Sequence, residues 1–214
     1  MIIAMTAKQV AKEEAEALKH LAAADARLAA IIKSVGAYEI KLRKDPFQSL
    51  VEAIIYQQLA GSAADAIYGR FVKIYGRFPR PAQLLATPDS KLRACGLSAR
   101  KIEYLKDLSS QVSDDRLKLA LLPKMPDEQV IEQLVQVKGI GRWTAEMFLI
   151  FCLGRPDVLP VGDLGLRKAM QQVYSLAELP SPARMREIAQ LWKPYSSIAT
   201  WYMWKSLEKF KGIG

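Results

Sequence analysis

The segment "VKGIGRWTAEMF", residues 137–148, places a Lys-Gly-Ile-Gly turn directly before a new apolar helical run. Glycines at 139 and 141 can take positive φ without a Cβ clash, and they let another backbone approach closely. The turn leads into a helix start, where amides have no intrahelical partner and the dipole is positive. Amides near Gly139, Gly141, Trp143 and Thr144 would form an anion cradle, with Lys138 and Arg142 adding charge at its rim. Such a cradle suits a backbone phosphate of a nucleic acid. A plain helix–helix turn that binds nothing fits the same residues, and the turn alone leaves both readings open. Two large apolar pairs stand at helical spacing, Trp143 with Met147 four apart and Trp201 with Trp204 three apart. A stripe of this kind is more often core than the wall of a flat pocket.

Other chemistries are poorly supplied. The only histidine, His20, lies among alanines and charges on a predicted helix, which argues against a histidine catalyst or metal site. Two cysteines, Cys95 and Cys152, are too few for a four-cysteine iron–sulfur or zinc site. Both stand in apolar surroundings and read as buried free thiols of a reducing compartment. Half of the 214 residues are hydrophobic, enough for a sizeable core. Lys and Arg number 31 against 22 Asp and Glu, a formal charge of +9 that is a modest argument for a polyanionic partner such as nucleic acid and fits a generically basic protein as well. The opening "MIIAM" is too short and too soon followed by charge to be a signal peptide, and no apolar run reaches membrane-spanning length.

The elements that must position these residues read as helices almost throughout, so the fold class is all-α. Residues 7–33 are alanine-rich with interspersed charges. "FQSLVEAIIYQQLA" (47–60) has helical spacing and stops at Gly61, and 62–75 follow as another helix. Thr87 is predicted to cap a helix with Pro88 at its first position, and Gly96 ends it. Ser98 caps the next. Residues 127–137 form a helix before the turn, a second starts near Arg142, and further helices cover 164–174, 182–191 and 195–210. Asp163 precedes an apolar-periodic run and is well placed as its N-cap.

Taken together, "LVQVKGIGRWTAEMF", "GRPDVLPVGDLGLRKAM" with Asp163 placed 24 residues after Gly139, and "LWKPYSSIATWYMW" (191–204) carry a specific resemblance. The chain resembles the helix-hairpin-helix superfamily of base-excision DNA glycosylases, in its 3-methyladenine DNA glycosylase II (AlkA-like) branch. "DPFQSLVEAIIYQQLAGSAADAI" (45–67) looks like that family's early helix and wedge loop, and the likeness covers roughly 35–210.

The resemblance implies a two-lobed fold with the active cleft between lobes: a helical barrel over 34–122, and a second lobe of 1–33 plus 123–214 holding the hairpin and the catalytic aspartate. It implies that Asp163 is catalytic, an anion that stabilises positive charge growing on the deoxyribose. Trp143 stands where lyase members carry a lysine, which implies a monofunctional enzyme that removes the base without cutting the strand. Trp143 and Trp204 become pocket walls, with Met147, Leu164 and Tyr56 beside them, while Trp201 is core or rim. Leu59 becomes the wedge that fills the gap left by a flipped base, with Gln58 against the opposing bases. A hairpin of this type holds a structural Na+ or K+ through backbone carbonyls, here Val135, Val137 and Ile140. No cofactor is required, and no iron–sulfur cluster is expected. The implied partner is double-stranded DNA containing alkylated purines such as 3-methyladenine or 7-methylguanine, with ethenoadenine and hypoxanthine left open. A monomer is expected, cytoplasmic or nucleoid-associated in a bacterium and nuclear in a eukaryote, and not secreted. The alternative from another class is a non-catalytic helix-hairpin-helix module that only grips DNA.

Overall fold

The computed structural model describes residues 7–59 and 61–210, with side chains from 12 to 207. Among these residues the chain is helical and carries no strand. The helices are α1 (Ala7–Ala24), α2 (Ala26–Val35), α3 (Pro46–Tyr56), α4 (Gly61–Lys73), α5 (Pro81–Ala86), α6 (Asp89–Ala94), α7 (Ala99–Ser113), α8 (Asp127–Leu134), α9 (Arg142–Phe151), α10 (Leu164–Val173), α11 (Pro182–Ala189) and α12 (Ser196–Phe210). Short 3-10 turns at Leu119–Lys124 and Gln190–Trp192 complete the order.

The alanine-rich predicted run 7–33 is two helices, α1 and α2, broken at Asp25. Asp25 is extended and its carboxylate accepts from the Arg27 and Leu28 amides, so it caps α2. Asp45 and Ser181 cap α3 and α11 in the same way, each ahead of a proline in the first turn. The predicted helix 47–60 ends at Tyr56, and position 60 lies outside the described residues. Thr87 does not cap α6. It is the C-cap of α5, its hydroxyl bonded to the Gln83 carbonyl and paired with Tyr75 Oη, and Pro88 takes the N-cap position instead. The prediction slipped one residue because the threonine found a better partner behind it than ahead.

Two compact units divide the chain, one of 1–41 with 154–214, the other of 42–153. In the first, α1, α2, α10 and α12 bury Leu21, Leu28, Leu166, Met170, Trp192 and Tyr202. Asp25, 6% exposed, accepts there from Trp192 Nε1 and from the Tyr174 hydroxyl, so a buried charge is fully answered. In the second, α3 packs on α4, α5 on α7 and α8 on α9 around Leu50, Ile54, Phe71, Leu105 and Leu149. The boundary therefore falls at 153/154 rather than 122/123. The hairpin sits with residues 42–122, and Asp163 belongs to the other unit. Physically, α8 and α9 are held by α3 packing and by polar bonds from α7, all inside 42–153.

Candidate active site and nucleic-acid interface

Asp163 is the N-cap of α10, extended at φ −75° and ψ 118°. Its Oδ1 accepts from the Leu166 amide at 2.6 Å and from Trp204 Nε1 at 2.8 Å. Leu166 N–H is one of the orphan donors of a helix start, and the Asp163 carboxylate satisfies it. Capping and a chemical role are thus compatible in one residue. Gly165 stands tight against both groups: a Cβ there would lie 3.1 Å from Asp163 Oδ1 and 3.4 Å from the Trp204 ring. Trp204 is partly exposed and Leu164 is 51% exposed, while Trp201 is buried against Tyr38 and Tyr202 and belongs to the core. The sequence reading placed Trp204 near Asp163 only as a wall. The hydrogen bond to the carboxylate is a structural finding.

The hairpin lies in the other unit. Gly139 has φ +80°, and a Cβ there would fall 2.1 Å from the Tyr104 ring, so the position demands glycine twice over. Gly141 differs from expectation. Its φ of −93° and ψ of 173° are ordinary extended backbone, and it serves as N-cap of α9 with no side-chain cap bond. The first bond of α9 runs from the Ala145 amide to the Gly141 carbonyl, so the amides of Arg142, Trp143 and Thr144 precede the ladder. Thr144 itself is buried. Trp143 is 48% exposed and Met147, one turn on, is partly buried.

Both rim cations are already answered by carboxylates. Lys138 Nζ meets Glu103 at 2.7 Å, which raises its pKa. Arg142 forms a two-pronged pair with Glu128 at 2.7 and 2.8 Å and a further contact with Glu146. They are therefore less available to a phosphate than a bare rim charge. The Lys138 amide donates to Asp107 Oδ2 at 2.9 Å. The Val137 carbonyl accepts from the Ile140 amide at 3.0 Å, and the side chains of Val137 and Ile140 are buried while Val135 is exposed.

Before the hairpin in sequence, α3 ends at Tyr56 and gives way to an irregular tip. Gln58 has φ +55°, and Leu59 is 38% exposed, its amide bonded to the Tyr56 carbonyl at 3.3 Å. Tyr56 is also exposed, with its hydroxyl on Asp65 Oδ1 at 2.6 Å. Sequence reasoning passed over Gln57, whose Nε2 donates to the Gly139 carbonyl at 2.8 Å. It passed over Tyr104 and Asp107 as well, because nothing local marks residues of a middle helix as the supports of a turn thirty positions away. The structure thus gathers Asp163, Leu164 and Trp204 in one unit. In the other it gathers Tyr56, Gln58, Leu59, Val135, Val137, Lys138, Gly139, Ile140, Gly141, Arg142, Trp143, Thr144 and Met147.

Residues 51–194 match the HhH-GPD superfamily of base excision DNA repair proteins, and the chain belongs to that family. It is 36% identical over 198 residues to DNA-3-methyladenine glycosylase 1 of Schizosaccharomyces pombe, covering 87% of this chain and 85% of that protein. A crystal structure of DNA-3-methyladenine glycosidase from Bacillus halodurans superposes with a TM-score of 0.83 at 40% identity, over 92% of this chain and 91% of the other. The Schizosaccharomyces pombe 3-methyladenine DNA glycosylase in complex with abasic DNA gives 0.78 at 35% identity, over 90% and 97%.

Proposed function

We propose that this chain is a monofunctional DNA glycosylase that hydrolyses the N-glycosidic bond of alkylated purines, 3-methyladenine and 7-methylguanine first among them, in duplex DNA. The observation that carries this reading is the Asp163 carboxylate, fixed by the Leu166 amide and the Trp204 indole at a helix N-terminus. The names of its relatives support the substrate class.

Purines methylated at N3 or N7 are cationic and leave as neutral bases with the bonding electron pair. They need no proton donor, which suits a site in which no histidine is at hand. As the C1′–N bond lengthens, positive charge grows on the sugar, and Asp163 stabilises that charge more than it stabilises the substrate. Water then bonds to C1′ from the side the carboxylate orients and releases its proton to solvent. Trp143 and Trp204 are each the candidate for an aromatic face against a cationic base, an attraction of roughly 0.5–2 kcal/mol, and Met147, Leu164 and Tyr56 are the further apolar candidates. Trp143 lacks an amine for a Schiff base, so the strand is left uncut.

Leu59 acts as the wedge and Gln58 meets the opposing bases. Gly139, Gly141 and the first amides of α9 take a phosphate, with Lys138, Arg142 and Thr144 at its margin. The carbonyls of Val135, Val137 and Ile140 fit a monovalent cation by donor type. They are hard oxygens after the end of α8, and among the described residues no backbone amide donates to the Val135 carbonyl. A cation there would bring a fixed positive charge to the hairpin and would be structural. The protein acts on chromosomal DNA as a monomer, in the compartment that holds the genome.

The deciding experiment is release of free bases from methylated duplex DNA by wild type beside Asp163→Asn. Asparagine keeps the cap, so the variant folds and binds duplex. Base release by wild type and none by the variant is the expected result. If neither frees a base while both bind DNA, the non-catalytic module replaces this reading.

A further inference from the structure

One face of α7 carries Lys101, Tyr104, Asp107 and Gln111, spaced three and four apart and therefore stacked along a single side of the helix. Each of the four meets one of two segments that lie far apart in the chain. Lys101 Nζ donates to the Ile55 carbonyl at 2.6 Å and to the Gln57 carbonyl at 2.8 Å, at the end of α3. Tyr104 fills the space beside Gly139. Asp107 Oδ2 accepts from the Lys138 amide at 2.9 Å and from Gln111 Nε2 at 2.8 Å. Gln111 Nε2 also donates to the Gln136 carbonyl at 3.1 Å. Away from α7 the circuit closes directly, because Gln57 Nε2 donates to the Gly139 carbonyl across 82 residues.

We infer that this face of α7, closed by Gln57, holds the Gln58–Leu59 tip in register with the glycine hairpin, so that a duplex gripped at the hairpin meets Leu59 at a fixed offset. Gln57 and Lys101 are then positioning residues that act through Leu59. The inference rests on the reading of Leu59 as the wedge.

The local physics of the tip makes such a brace necessary. Gln58 is left-handed at φ +55°, a conformation that a residue with a Cβ holds only when its surroundings over-determine it. On one side of Gln58 the Gln57 carbonyl is pinned by Lys101 and the Gln57 amide group by Gly139. On the other, the Leu59 amide returns to Tyr56. Lys101 also stands at the C-terminal end of α3, where a cation answers the last carbonyls of the helix. Partial burial lowers its pKa. A loop that needed only to be tethered would not require a half-buried ammonium and a cross-link to the hairpin.

Gln57→Met keeps the side-chain length and removes the amide donor. The measurement pairs affinity for undamaged duplex with single-turnover base release, and adds the fluorescence of 2-aminopurine placed beside the lesion, which reports unstacking. Gln57→Met should bind undamaged duplex and unfold thermally as wild type does. Its single-turnover rate should fall about tenfold, the scale of one lost hydrogen bond, and the fluorescence rise should shrink with it. Lys101→Met should behave likewise, and Lys101→Arg, which keeps the donors, should restore the rate. If Lys101→Met fails to fold, Gln57→Met decides alone. Wild-type rate and full fluorescence in Gln57→Met overturn the inference, as does a parallel loss of binding and excision, which would mean general loosening. Leu59→Ala separates the two levels. If it abolishes the fluorescence rise while Gln57→Met does not, the wedge stands and the brace falls. If Leu59→Ala changes nothing, the wedge reading falls and takes the brace with it.

Discussion

Asp163 Oδ1 holds two donors at once, the Leu166 amide and the Trp204 indole, and the second bond changes what Trp204 is for. A wall needs only an aromatic face, whereas a donor needs the nitrogen. Trp204→Phe separates these. The ring remains, the N–H is lost, and a carboxylate loses a charge-assisted bond on the order of 1.5–3 kcal/mol. We expect the single-turnover rate of base release to fall and the melting temperature to drop by several degrees, about 2–4 °C for each kcal/mol lost, measured by single-turnover kinetics and calorimetry on one preparation. Asp163 and Trp204 were both legible in the sequence, the first from its place before an apolar run, the second from the segment around it. The bond between them was not, because 41 residues separate them and only the packing of α12 against α10 brings them together.

At the level of elements, two helix starts are built in opposite ways. α10 is capped by an aspartate, and α9 begins with a glycine that caps nothing. Gly141 has an ordinary extended φ, and no atom lies within 4 Å of an added Cβ, so its lack of a side chain is required neither by strain nor by crowding. With glycine at this position no cap side chain stands over the first turn of α9. Gly141→Ser would supply a hydroxyl to the amides of that turn. We expect thermal stability to hold or rise by a few tenths of a kcal/mol, since Ser is a better N-cap than Gly, while affinity for any duplex falls. Loss of both stability and binding would count against this account. Turn and cap chemistry let the sequence place most helices within a residue or two. It failed where one side chain had two partners to choose from, as Thr87 did, and where a long alanine-rich run hid a buried cap at Asp25.

Across the whole molecule, each unit contains a tyrosine that titrates late. The Tyr56 bond to Asp65, aided by burial and by the Asp65 charge, pushes its pKa up to about 12. Burial and the charge of Glu14 push Tyr202 up to about 12. In both cases the folded state favours the protonated phenol. The stability they lend is complete below the unfolded value, about 10, and is lost as pH rises through about 12. Denaturant midpoints should therefore hold up to about pH 10 and fall beyond it, and Tyr56→Phe should flatten part of that fall. Unchanged midpoints across this window would exclude the two phenols as contributors.

What the sequence determined by itself was local or periodic: an all-helical chain, the glycine turn, the aspartate after it, and the tryptophans at helical spacing. Those signals depend on neighbours a few positions away, through φ/ψ freedom, capping and side-chain period. Tertiary structure decided the rest. It moved the unit boundary to 153/154, put Trp201 in the core and Trp204 on Asp163, and set the hairpin on α7. It also gave Lys138 and Arg142 carboxylate partners of their own. Each of these depends on contacts between residues far apart in the chain, and burial and hydrogen bonding select such contacts only once the helices have packed.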